Sequence, residues 1–92
     1  MTSAGITVTN QLGMHARAAA RFVHLASAFD ARIQVECGSR TVDGKSILGL
    51  LLLVASRGTA LTISAEGVDE VAAVAALLEL VRSGFADGAS SE

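Results

Sequence analysis

Asn10-Gln11-Leu12-Gly13-Met14-His15-Ala16-Arg17-Ala18-Ala19-Ala20-Arg21-Phe22 is the passage in which one structural period gives way to another. Before it, Ile6 and Val8 alternate with Thr7 and Thr9, the two-residue repeat of a strand with one buried face. Asn10 to Gly13 then break the alternation. From about Ala16 to Phe29 the apolar residues Ala19, Phe22, Val23 and Ala26 recur at spacings of three and four, which is one helical stripe. The chain thus opens as strand, loop, helix, and the start of that helix is chemically odd. Helix N-termini favour Ser, Thr, Asp or Asn as caps and acidic side chains in the first turn, because the orphan N–H groups and the dipole make that end positive. Here an imidazole and a guanidinium, His15 and Arg17, stand there instead. That arrangement costs about 0.3 to 1 kcal/mol unless an anion joins it. A phosphate would meet the free amides of Ala16 and Arg17, the dipole and the guanidinium together, and His15 is placed to accept it covalently.

Beyond this passage the period alternates again. Ile33, Val35 and Cys37 interleave with Arg32, Gln34 and Glu36 as a second strand, Gly38-Ser39 make a tight turn, and Arg40 to Asp43 form a short third strand expected at a sheet edge. Ser46 occupies an N-cap position ahead of a helix from Ile47 to about Ala55. That helix is apolar nearly all round, so several of Ile47, Leu48, Leu51 and Leu52 are expected in solvent, as a patch that waits for a partner. Leu61, Ile63 and Ala65 mark a fourth strand. A last helix follows, with Asp69 as its expected cap, Glu70 in its first turn, and Val71, Val74, Leu77, Leu78 and Val81 as its buried stripe up to Gly84. The order strand, helix, strand, strand, helix, strand, helix predicts an α+β open-faced sandwich. Its four-stranded, mostly antiparallel sheet is covered on one face by helices.

Ninety-two residues suffice for one domain, 1–92, with a core over about 5–85 and a small polar tail, 86–92, expected to fray. With 51% hydrophobic but only 3% aromatic residues, the core is expected to be built from Ala, Val, Leu and Ile. The net charge of −2 and the scattered basic residues argue against nucleic acid as a partner. The apolar run around Leu50 to Ala55 is far short of the roughly 20 residues that span a bilayer, so no membrane insertion is expected. The single Cys37 reads as a small core residue in a reducing cytoplasm. His24 lies about half a turn round from His15, so the two cannot share a metal, and no metal or cofactor is expected. Neither a carboxylate pair nor a second base stands beside His15, which argues against a hydrolase.

Three segments carry a family resemblance: Leu12-Gly13-Met14-His15-Ala16-Arg17 with Ala19-Ala20 following, Gly44-Lys45-Ser46-Ile47-Leu48-Gly49, and Gly58-Thr59 leading into Thr62-Ile63-Ser64-Ala65-Glu66-Gly67. At these separations the sequence resembles the HPr family, the small histidine phosphocarriers of the bacterial phosphotransferase system, and it is also similar to the nitrogen-related branch called NPr. The resemblance implies a phosphoryl carrier rather than an enzyme. His15 would be phosphorylated on a ring nitrogen by Enzyme I and would pass the group to Enzyme IIA-type acceptors. Ile47, Leu48 and Leu51 would dock these partners. It further implies a regulatory site at Ser46 for an HPr kinase/phosphorylase, and a monomer is expected. An alternative role is that of a nitrogen-related or regulatory paralogue acting by phosphorylation-dependent protein binding. One departure stands out: the family usually reads His-x-Arg-Pro, and here Ala18 replaces the proline. Alanine restores a backbone N–H that proline lacks.

Overall fold

The structure is a computed structural model that describes residues 1–53 and 56–85. Four strands, β1 (Thr2–Thr7), β2 (Arg32–Cys37), β3 (Arg40–Asp43) and β4 (Ala60–Glu66), and three helices, α1 (Ala16–Ala26), α2 (Ile47–Leu52) and α3 (Glu70–Arg82), follow in the order β1-α1-β2-β3-α2-β4-α3. The strands lie side by side as β1-β4-β2-β3, and every pairing is antiparallel. Register follows the sequence pattern: Ile6 sits opposite Leu61, Val35 opposite Ile63, and Ile33 opposite Ala65. Ile33, Val35, Leu61, Ile63 and Ala65 are buried beneath the helices. The other face carries polar residues, with Ser3 and Ser64 hydroxyls paired at 2.8 Å. β3 is an edge strand, as its shortness suggested.

Several boundaries and faces differ from the sequence expectation. The first strand begins at Thr2, and Val8 lies beyond it, held to the turn before β4 by Val8 N–H to the Thr59 carbonyl at 2.9 Å. α1 ends at Ala26, after which the Ala28 and Phe29 amides bond three residues back, and the Phe29 carbonyl is taken by Lys45 Nζ at 2.7 Å. α2 runs to Leu52, while the expected end near Ala55 and the tail 86–92 lie outside the described residues. Asp69 heads α3 but makes no side-chain cap. Its carboxylate accepts instead from the amides of Asp30 and Ala31, at 2.8 and 2.9 Å, and so pins the loop between α1 and β2. Val71 is exposed rather than buried. Glu70 accepts from Thr2 Oγ1 at 2.6 Å and from Gly67 N–H at 3.2 Å, which turns the face bearing residues 70, 73, 74, 77 and 81 inward and leaves Val71 outside.

The core is not purely aliphatic. Phe22 and Phe85 are its largest fully buried side chains. Phe85 owes its place to the end of α3, where Gly84 N–H bonds the Val81 carbonyl and Phe85 N–H the Leu80 carbonyl, at 2.9 and 2.8 Å. That is the Schellman pattern, with Gly84 at φ +70° and an apolar residue after it packing back on the helix. Arg21 of α1 donates to the Phe85 carbonyl at 2.9 Å. Gly84 lies so near Asn10 that an added Cβ would meet the Asn10 Cβ at 3.4 Å. The closing turn of the domain is therefore packed against the loop that leads to His15.

Candidate functional site

That loop is built from its backbone outward. Gly13 is buried at φ +67°, a left-handed conformation that L side chains rarely adopt. Its carbonyl accepts twice, from His15 N–H at 2.9 Å and from Asn10 Nδ2 at 2.8 Å. Asn10, noted from sequence only as a pattern breaker, thus holds the peptide group on which the His15 backbone rests. No sequence signal short of the loop's hydrogen bonds would have revealed it. Among the described residues, the Asn10 Oδ1 atom is itself buried without a partner. Met14 is buried and anchors the loop to the core, so His15 next to it is left half-buried at the surface.

His15 proves to be the N-cap of α1, with extended backbone (φ −83°, ψ 178°). Its Nδ1 accepts from Arg17 N–H at 3.2 Å and from Ala18 N–H at 3.4 Å. The imidazole therefore occupies the capping role that Ser or Asp would usually take, which resolves the oddity of a histidine at a positive helix end. The amides that converge on the ring are those of Arg17 and Ala18. An accepting Nδ1 carries its lone pair toward the helix, which places the proton of the neutral ring on Nε2. Both bonds are long, so the lone pair is loosely held. Arg17 is exposed and, among the described residues, its guanidinium makes no hydrogen bond or ion pair. α1 has no acidic residue in its first turn to neutralise this end.

α2 packs beside α1. Ser46 caps it as expected, its Oγ accepting from Gly49 N–H at 3.0 Å. Arg40 of β3 holds the other end, donating to the Leu52 carbonyl at 2.7 Å. Of the expected docking residues, Ile47 and Leu48 are exposed, Leu48 to 67%, while Leu51 is half-buried against the core. Leu52 is exposed too. Leu12, in the His15 loop, is exposed to 74% and was not singled out from sequence, since a leucine in a loop carries no period to read.

A family model described as the PTS HPr component phosphorylation site matches residues 2–83. This chain belongs to the HPr family. It is 39% identical to the phosphocarrier protein HPr of Neisseria meningitidis over 96% of this chain and 99% of that one. It is 41% identical to the phosphocarrier protein NPr of Shewanella violacea over 87% and 88%. A crystal structure of HPr from Thermoanaerobacter tengcongensis superposes with a TM-score of 0.91 at 42% identity, covering 95% of this chain and 98% of that one. HPr-family proteins are phosphocarriers of the phosphotransferase system and not catalysts. No helix among the described residues is long and apolar enough to cross a membrane.

Proposed function

We propose that this protein is a cytoplasmic, monomeric histidine phosphocarrier of a phosphoenolpyruvate-dependent phosphotransferase system, taking a phosphoryl group from Enzyme I on His15 and giving it to Enzyme IIA-type acceptors. The supporting observation is the Nδ1 atom of His15, which points its lone pair at the first turn of α1. In the proposed step this lone pair attacks the phosphorus. The N–P bond forms as the bond to Enzyme I breaks, and the electron pair of that bond stays with Enzyme I. The first-turn amides, beginning with Ala16 and Arg17, then face the phosphoryl oxygens, and the Arg17 guanidinium supplies the counter-charge. Transfer onward reverses the chemistry toward the acceptor. Partners complete the site by docking on Ile47, Leu48 and Leu51, joined by Leu12 and Leu52. Incubation with Enzyme I and labelled phosphoenolpyruvate should label the wild type on His15 and leave His15→Ala unlabelled; equal labelling of the variant refutes the proposal.

A nitrogen-related carrier is the second reading, favoured by an identity to NPr that matches the identity to HPr. Labelling rates with the Enzyme I paralogues of one cell separate the two. Ser46 is proposed as a regulatory phosphorylation site for an HPr kinase/phosphorylase, since it opens the helix that carries the docking leucines. A phosphate there adds about 1.5 to 2 negative charges within an apolar contact surface.

A further inference from the structure

Ala18 stands where the family usually has proline, it is fully buried, and its backbone N–H is directed at Nδ1 of His15 from 3.4 Å. Resting on the carrier reading above, we infer that the Ala18 amide is a phosphoryl-binding donor that makes the phosphohistidine of this protein longer-lived and less willing to give up its group than a proline-bearing carrier would be. In the unphosphorylated state this amide makes, among the described residues, a single long bond to the ring nitrogen. Once Nδ1 carries phosphorus, the same N–H faces an anionic oxygen instead. Hydrogen bonds to ionised acceptors are shorter and roughly twice as strong as neutral ones, so the gain falls selectively on the phosphorylated state.

The donor is in place before the reaction. His15 is fixed as the N-cap, and Ala18 is the third residue of an 11-residue helix packed against α2 and α3. The Arg17 amide, at 3.2 Å, remains available to any member of the family, whereas an amide at position 18 requires a residue other than proline. The consequence concerns both exits of the group. In hydrolysis, water adds to phosphorus as the N–P bond breaks, the electron pair returns to Nδ1, and inorganic phosphate leaves with the water's protons. In transfer, the acceptor's nitrogen takes the place of the water. An amide that holds the phosphoryl oxygens of the starting state slows the first and shifts the equilibrium of the second toward this carrier.

The test compares the wild type with Ala18→Pro, and with the full chain assembled by ligation at Cys37 bearing lactic acid in place of alanine at position 18. The ester linkage deletes the N–H while keeping the methyl group, so it decides the matter even if proline disturbs the helix. Each protein is loaded on His15 with phosphoramidate, which bypasses Enzyme I, and the lifetime of the phosphohistidine is followed by 31P NMR. Both altered proteins should lose phosphate about ten- to a hundredfold faster than the wild type, the range for removing one hydrogen bond to a charged acceptor. At equilibrium with Enzyme I they should retain correspondingly less label. In the wild type the Ala18 amide proton should shift downfield on loading, a signature that packing alone would not produce. Equal lifetimes, with wild-type His15 labelled normally by Enzyme I, overturn this inference and leave the carrier reading intact. Failure of Enzyme I to label wild-type His15 overturns both.

Discussion

Substitutions at His15 can separate two roles that meet in one atom, since Nδ1 caps α1 through Arg17 and Ala18 and is also the proposed phosphoryl acceptor. Asparagine is a preferred helix cap with no nucleophilic ring nitrogen, whereas alanine neither caps nor reacts. His15→Asn should therefore fold with at least wild-type stability, and His15→Ala should lose about 0.5 to 2 kcal/mol in urea unfolding, with neither accepting label. Gly44 makes a different point at the same scale. Its amide bonds the Ile33 carbonyl at 2.8 Å, and a Cβ built there would come within 2.5 Å of Ile33 Cγ2. Ile33 is fully buried and cannot yield easily. Gly44→Ala should cost about 1 to 3 kcal/mol, the usual range for overpacking, by the same measurement.

Among the elements, α2 is the one whose stability and whose use conflict. Six residues form too short a helix to persist alone, and it is fixed from outside by Ser46 at its start and Arg40 at its end. Holding it there keeps Ile47, Leu48 and Leu52 exposed among the described residues, where the proposed partners would cover them. Ser46→Asp preserves a capping oxygen and places negative charge at the end of the helix that favours it. This variant should unfold at the wild-type urea midpoint yet receive phosphate from Enzyme I more slowly, because the same charge faces the partner surface. Unchanged transfer rates would remove the inhibitory role assigned to a phosphate at Ser46. Ser46→Ala, in contrast, should lower stability by about 0.5 to 2 kcal/mol while leaving the docking surface uncharged.

At the scale of the whole molecule, two carboxylates join distant parts of the chain and make its stability depend on acid. The hydrogen bond from Thr2 holds Glu70 well below the usual 4.5, to about 2, helped by the Gly67 amide and the Met1 amine. The amide of Asp30, joined by that of Ala31, lowers Asp69 from 3.8. Both groups are easier to ionise when folded, so their stabilisation is complete above the unfolded values and is lost as pH falls through the folded ones. Thermal midpoints should decline from about pH 4.5 toward pH 2. In Glu70→Gln that decline should be shallower. The alternation of Ile33, Val35, Leu61, Ile63 and Ala65 was enough to determine which strand faces are buried, because a period of two leaves one choice of inner face. Ser46 was legible as a cap for a similar reason: capping is local, and the Gly49 amide it accepts from lies three residues on, whereas the capping role of His15 went unread because histidine is not a usual cap. Asn10, Asp69, Val71 and Phe85 were misread or passed over because their settings come from elsewhere. Asp69 answers amides 38 and 39 residues away, and the Phe85 carbonyl answers an arginine 64 residues back. The order β1-β4-β2-β3 belongs to this second group, since antiparallel strands of similar pattern are distinguished only by how the helices between them pack. Sequence by itself determined the order of the elements and the inner faces of the strands, both set by short-range periodicity and backbone demand. Tertiary structure alone decided which strands became neighbours, which carboxylates became staples and how the final turn supports the His15 loop, since those contacts join residues that only the folded chain brings together.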